Sequence, residues 1–142
     1  MKRFAFSLQK LLSLREFREK EAEIALGKAN AARDAIQLEL DDVAKKRVSS
    51  SLERHGVKPF QELVAIENYI TRLDAKKEIL LVDLVAAEMV VDQMREKYLV
   101  ATRERQVISK LKEKKTTAWR KDALDDEAAV LDDIANSRIK QK

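Results

Sequence analysis

A heptad repeat that continues without a break limits the second half of this chain to one kind of structure. From Leu63 to Ile108, two positions of the repeat form a seam in which eleven of fourteen residues are aliphatic, Met or Ala. An apolar seam kept over this many heptads predicts a long helix in a left-handed coiled coil. One row of the seam holds Leu63, Ile70, Lys77, Leu84, Val91, Tyr98 and Arg105, and the other holds Ile66, Leu73, Leu80, Ala87, Met94, Ala101 and Ile108.

The only cluster of helix-breaking residues is the stretch "SSSLERHGVKPF" at 49–60, which contains Gly56 and Pro59. Because Pro is tolerated only in the first turn of a helix, one helix should end in this stretch and a second begin near Pro59. Charged residues make up 38% of the chain and aromatic residues 5%, a mixture typical of long helices. A short turn makes the two helices antiparallel, so the predicted fold is all-α, a long antiparallel two-helix coiled-coil hairpin. We expect a single domain over 1–142, with helix one at about 4–50, the turn at about 51–58, helix two at about 59–120 and a charged C-terminal overhang at about 121–142.

Small side chains line the middle of the first helix, between Ala22 and Ala32. If the turn is centred near residue 55, these alanines face the bulky residues Leu80, Leu84 and Val91, and small side chains pack against large ones. The same register pairs Arg18 with Asp92. It leaves residues 110–142 without a covering helix, so we expect them to project as an unpaired helix or a disordered tail.

The stretch "ILLVDLVAAEMVV" at 79–91 is too apolar for an ordinary surface helix. Some of its residues belong to the seam, but others fall on the far side of the helix, which should be polar. A two-helix hairpin buries only one of these faces. The second face therefore predicts a contact site for a partner, a second copy or the folded-back tail, and a Val-rich stripe without a partner is the alternative. The far-side residues are Ile79, Val82, Ala86 and Met89, with Val85 and Val90 at their edge.

The residues that catalysis usually requires are missing from the sequence. The chain has one His, His55, and no Cys, which excludes the usual zinc sites. Gly27 and Gly56 are its only glycines, too few for a phosphate-binding loop. We therefore predict no enzymatic activity, no catalytic residue, no cofactor and no metal. No apolar run approaches the ~20 residues of a membrane-spanning helix, which favours a cytoplasmic protein that does not insert into the membrane.

A basic block borders an acidic tail near the C-terminus. Residues 110–121, "KLKEKKTTAWRK", carry six basic side chains and one acidic, whereas 122–142 carry three basic and six acidic. Such a block suits phosphate contacts, so a nucleic-acid-binding coiled coil is one alternative. A generic self-associating scaffold is another. Interleaved acidic residues and the lack of a known docking motif favour a protein partner, and we predict no nucleic acid.

Three motifs follow one another along nearly the whole chain. "FAFSLQKLLSLREFREKEAEIALGKA" at 4–29 joins an aromatic–x–aromatic start to Leu-rich, Glu/Lys-dense and Ala-rich segments. "ENYITRLDAKKEIL" at 67–80 has an aromatic–Ile–x–x–Leu pattern, and "EKKTTAWRKDALDDEAAVLDDIA" at 113–135 sets a basic segment before an acidic one. In this order the motifs resemble the FliJ family, the small coiled-coil component of the bacterial flagellar type III export apparatus. Related coiled-coil proteins of virulence secretion systems look similar.

The resemblance implies a non-enzymatic rod, similar to the central stalk of rotary ATPases. FliJ-like proteins insert the end that carries both termini into the hexameric ring of the export ATPase, FliI. The body of the hairpin contacts the export gate protein, FlhA, at the cytoplasmic face of the inner membrane. The family is also described as escorting export chaperones.

Carried over to this sequence, the resemblance and the far-side patch imply two sets of contact residues. Lys46 and Ser50 stand where family members often have aromatic residues, so the first-helix half of the gate site departs from the pattern. The expected gate contacts are Tyr69, Leu73, Leu80, Ile79, Val82, Ala86 and Met89. The expected contacts with the ATPase ring are Phe4, Phe6, Leu8, Leu11, Lys110, Lys112, Lys114, Lys115, Arg120 and Lys121.

Overall fold

The computed structural model describes residues 3–141, which form two α-helices and no strand. Helix α1 spans Gln9–Glu53 and helix α2 spans Phe60–Lys140, and the two pack against each other as antiparallel partners. The predicted all-α two-helix hairpin is confirmed. Residues 1, 2 and 142 of the predicted domain and overhang lie outside the described residues, and the single domain stays a prediction.

The turn between the helices depends on one glycine and one proline. Gly56, three residues after the end of α1, has a φ of 96°, in the left-handed region that residues other than glycine rarely adopt, and so it lets the chain turn towards α2. The carbonyl oxygen of Pro59 accepts hydrogen bonds from the backbone N–H groups of Glu62 and Leu63, at 3.1 and 3.2 Å. Pro59 therefore stands directly before α2, at a position where its missing N–H costs no hydrogen bond.

The chain divides into two compact units, which we describe separately. The turn unit is Glu21–Leu99. The terminal unit is Met1–Lys20 together with Val100–Lys142, of which the structure describes 3–20 and 100–141.

The core of the turn unit forms where the predicted seam of α2 meets α1. Val43, Leu73 and Leu80 are buried together, and Ile36 and Leu40 pack against them. Along the whole of α2, every residue of the two predicted seam rows is buried or half-buried except Lys77. The heptad repeat therefore identified the buried face of α2 correctly.

The predicted register of the turn unit is wrong by about three helical turns. Arg47 donates to Asp74, with its Nε 2.7 Å from Oδ1, whereas a turn centred at residue 55 would have placed Leu63 opposite Arg47. The cause is the connection at 54–59. Arg54, directly after α1, pairs with Glu67 at 2.8 Å, so α2 starts about two turns beyond the end of α1.

This shift changes the neighbours of the seam residues. Leu80 belongs to the core cluster of Val43 and Leu73, against which Ile36 and Leu40 pack, whereas the predicted register placed it opposite residues 22–32. Asp92 Oδ1 lies 3.5 Å from Arg95 Nη1 on its own helix, and the pairing of Arg18 with Asp92, which was expected from the predicted register, stays a prediction.

In the terminal unit, the contacts between α1 and α2 extend further towards the C-terminus of α2 than predicted. Arg105 Nε lies 2.9 Å from Glu19 Oε2, and Lys112 Nζ donates to Gln9 Oε1 at 2.7 Å. The expectation that 110–142 projects as a whole is therefore wrong, because its first part faces α1 and the segment before it. From Leu124 to Gln141 every residue is exposed and helical up to Lys140.

Candidate functional site

An apolar strip lies on the exposed face of α2 in the turn unit. We use this name for Ile79, Val82, Val85, Ala86, Met89 and Val90, all of which are exposed. The exposed fraction reaches 64% at Ile79 and 70% at Val82. The strip stays exposed because α1 covers the seam, which is on the other face of the helix. Its use as a contact site stays a prediction.

The expected gate residues divide into a surface group and a core group. Leu73 and Leu80 are 6% and 7% exposed and belong to the core cluster, where they hold α2 against α1. Tyr69 is 37% exposed. About 15 Å of helix separates Tyr69 from Ile79, the first residue of the strip.

A basic cleft of about 230 Å³ surrounds Tyr69. The guanidinium carbon of Arg72 lies 6.0 Å from the centroid of the Tyr69 ring, within reach of a cation–π interaction. The cleft brings Lys46 beside Tyr69, while Ser50 is buried. Sequence reasoning missed this cleft because the wrong register placed Lys46 opposite Val64, too near the start of α2. Its lining is Val43, Lys46, Tyr69, Arg72, Leu73 and Lys76.

Two ion pairs border this cleft and hold its charges in place. Lys46 Nζ lies 2.9 Å from Asp42 Oδ2, one turn away on the same helix. This hydrogen bond lowers the pKa of Asp42 and raises the pKa of Lys46. The hydrogen bond from Arg47 likewise lowers the pKa of Asp74. Lys46 is therefore charged at neutral pH, and the cleft presents positive charge around an aromatic ring.

The terminal unit has an aromatic contact at the start of the described chain. The rings of Phe4 and Trp119 are 5.9 Å apart and tilted by 55°. Such a tilted pair is a favourable aromatic geometry. A second cleft, of about 380 Å³, opens beside it and is lined by Arg3, Phe4, Ala5, Phe6, Ser7, Lys115 and Trp119.

The residues expected to contact an ATPase ring also divide into two groups. The apolar ones, Phe4, Phe6, Leu8 and Leu11, are half-buried. Of the basic ones, Lys112 is half-buried and bonded to Gln9, whereas the others are exposed. The terminal unit therefore presents a charged surface around a packed apolar centre. The exposed basic residues are Lys110, Lys114, Lys115, Arg120 and Lys121.

Within residues 3–141, no three His, Cys, Asp or Glu side chains are grouped so that they could hold a metal ion. His55 is exposed in the turn between the helices. In the same part of the chain, no helix combines the length and the apolarity that crossing a membrane requires.

The family model of the flagellar FliJ protein matches residues 4–142. No curated protein and no solved structure matches the chain at a significant level. Because the family match extends over nearly the whole chain, and over both helices described above, this chain belongs to the FliJ family and is a protein related to flagellar export.

Proposed function

We propose that this protein is a non-enzymatic coupling rod between the export ATPase and the export gate. In this proposal the terminal unit enters the hexameric ring of a FliI-like ATPase. The turn unit engages a FlhA-like gate protein at the cytoplasmic face of the inner membrane. Escorting export chaperones is a further part of the same role.

The apolar strip is the observation that most supports the gate contact. Ile79 and Val82 remain exposed although α1 covers the opposite face of α2. Large exposed apolar patches are rare on proteins that have no partner. Tyr69 and its basic cleft stand on the same helix and in the same unit, so one partner can cover an aromatic ring, positive charge and the strip together.

The charge of the terminal unit supports the ATPase contact. Lys110, Lys114 and Lys121 are exposed on α2, and beside the first two the apolar face of the helix is already half-buried. A shaft with this surface suits a ring lined by acidic and polar loops, and the affinity should decrease as salt concentration increases.

Binding to the purified cytoplasmic part of the gate protein tests the first contact. We expect the double variant Val82→Asp and Met89→Asp to bind at least about tenfold more weakly, because a charged side chain prevents burial of the strip. Leu38→Asp on α1 is the matched control, since Leu38 is also 70% exposed and lies outside the strip. Equal binding by the strip variant and the control would contradict the gate contact.

ATP hydrolysis by the export ATPase tests the second contact. The wild-type chain should stimulate hydrolysis or hexamer formation, and Lys114→Glu with Lys121→Glu should reduce the stimulation. Lys97→Glu, an exposed position in the turn unit, is the control. Lack of stimulation by the wild-type chain in stoichiometric excess would count against the proposal.

A further inference from the structure

A groove lined by apolar and acidic side chains runs along the C-terminal arm of α2, which we define as residues 119–140. The groove has a volume of about 800 Å³, and all of its lining residues belong to α2. It starts at Trp119, where the packing with Phe4 takes place, and so it continues the face that the start of the chain covers. The lining residues are Trp119, Asp122, Ala123, Asp126, Glu127, Val130 and Leu131.

Several large apolar side chains of this arm are exposed, which is unusual for a helix that stays in contact with solvent. Val130 is 57% exposed and Leu131 is 65% exposed, and Leu124, Ile134 and Ile139 are exposed as well. They recur at helical spacing, which is typical of a face that packs against another helix. The arm therefore has the apolar pattern of a helix that packs against a partner, but no other part of the described chain covers it.

The charges along α2 indicate which partner could bind in this groove. Residues 110–121 carry six basic side chains and one acidic, and the adjoining residues 122–133 carry six acidic and none basic. The two blocks have equal length and opposite sign. If a second copy of α2 lies antiparallel to the first, the basic block of each copy lies along the acidic block of the other.

Trp119 borders both a basic surface and an acidic one. The cleft that contains Arg3 and Lys115 and the groove that contains Asp126 and Glu127 share Trp119 as a lining residue. One side of Trp119 is thus basic and the other acidic, and both sides are open. A surface of this kind is complementary to itself under a twofold rotation, which is the requirement for an isologous dimer.

We propose that the C-terminal arm is a docking surface for a second copy of the same chain, with the two arms antiparallel about a twofold axis near Lys121 and Asp122. The acidic residues that line the groove of each copy lie against the basic residues of the cleft at Arg3 and Lys115 of the other copy. Leu124 of each copy then faces Trp119 of the other near the middle of the contact, and Val130 and Leu131 lie along the basic block of the other copy. Aromatic residues in such central positions carry much of the binding energy of an interface.

Dimer formation has a consequence for the role proposed above. The dimer covers Lys115 and Arg120, which are among the residues assigned to the ATPase ring. A chain in the dimer is therefore unable to enter the ring until the two copies separate. This consequence depends on the proposed function, whereas the dimer itself does not.

Sedimentation equilibrium of the full chain, with two charge-reversal variants, tests the dimer. The acidic variant is Lys115→Glu with Arg120→Glu, and the basic variant is Asp126→Lys with Glu127→Lys. Each variant alone opposes like charges across the twofold axis, so we expect its dimer dissociation constant to be at least about tenfold higher than that of the wild type. An equimolar mixture of the two variants opposes unlike charges at both ends and should form a heterodimer.

Matched controls separate this result from an effect on folding. All four positions are exposed, so the circular dichroism spectrum should be unchanged. Lys45→Glu, an exposed change on α1, should leave dimerisation unchanged. Trp119 is the only Trp, so its fluorescence should shift on dilution of the wild type and not on dilution of either variant.

Two outcomes would overturn the proposal. The first is a folded wild type that stays monomeric at all concentrations, because the groove would then accept a basic helix of a different protein or no helix. The second is a dimer that forms equally well in both reversal variants, because its interface would then lie elsewhere on the chain.

Discussion

Arg47 of α1 and Asp74 of α2 are joined by two hydrogen bonds, from Nε at 2.7 Å and from Nη2 at 3.4 Å. A bidentate pair of this kind has a defined geometry, and so it fixes how far one helix is displaced along the other. Together with the pair of Arg54 and Glu67, it sets the register of the turn unit. The apolar seam alone does not set the register, because sliding one helix by a heptad again places apolar residues opposite apolar residues.

The pair of Arg47 and Asp74 predicts a specific dependence of stability on pH. The hydrogen bond from Arg47 is the largest cause that lowers the pKa of Asp74 below its ordinary value of 3.8. The stabilisation is therefore present at pH values above the ordinary pKa and is lost as pH decreases through it towards the lower folded pKa. Thermal melts between about pH 7 and about pH 2.5 should show that Asp74→Asn loses less stability on acidification than the wild type does.

Asp83→Asn is the control for this pH dependence. Asp83 is exposed on α2 and lies outside the pair of Arg47 and Asp74. Its substitution should leave the acid slope of the wild type unchanged. If Asp74→Asn and the wild type lose stability in parallel, the pair of Arg47 and Asp74 does not stabilise the folded chain.

Leu80 and Val82 offer a direct comparison between the two apolar faces of α2. Leu80 is 7% exposed in the core, whereas Val82 is 70% exposed in the apolar strip. Leu80→Ala should lower the free energy of unfolding by roughly 2–4 kcal/mol, because it leaves a cavity beside Val43. Val82→Ala should change it by less than about 0.5 kcal/mol. Urea denaturation followed by circular dichroism measures both, and similar losses would mean that the strip is covered in solution.

The contact between Phe4 and Trp119 predicts a local effect on the terminal unit. Phe4→Ala removes the ring that packs at 5.9 Å from Trp119, so the emission of Trp119 should move to longer wavelength as water reaches the indole. Phe17→Ala is the matched control, because Phe17 lies in the same unit and is 60% exposed. An equal shift for both variants would mean that the contact with Phe4 does not shield Trp119.

The sequence determined which faces are buried more reliably than which residues face each other. Seam residues such as Ile70 and Val91 are buried, and Val82, assigned to the far side, is exposed. Facing residues depend on the length and path of the connection at 54–59, and a repeat along the helix contains no information about that path. The error in register then hid the cleft at Tyr69, because that cleft requires Lys46 to be its neighbour.

The seam itself contained a second clue, the charged residue Arg105. A charge in an apolar seam is costly unless a partner compensates it, and the register decides which residue that partner is. In the terminal unit Arg105 pairs with Glu19 and Arg15 pairs with Glu104. Each helix thus contributes one arginine and one glutamate to two ion pairs that cross between the helices. These partners can be identified only when the register is known.

The pair of Glu19 and Arg105 predicts a measurable coupling between α1 and α2. The Nε and Oε2 atoms are 2.9 Å apart, and the two side chains are only 29% and 22% exposed, which reduces screening by water. Glu19→Arg and Arg105→Glu should each destabilise the chain, because each variant opposes two like charges in a partly buried position. The double variant reverses both charges and should recover about 1 kcal/mol relative to the sum of the single changes. Urea denaturation of the four proteins measures this coupling energy, and a value of zero would show that Arg105 is tolerated in the seam without help from Glu19.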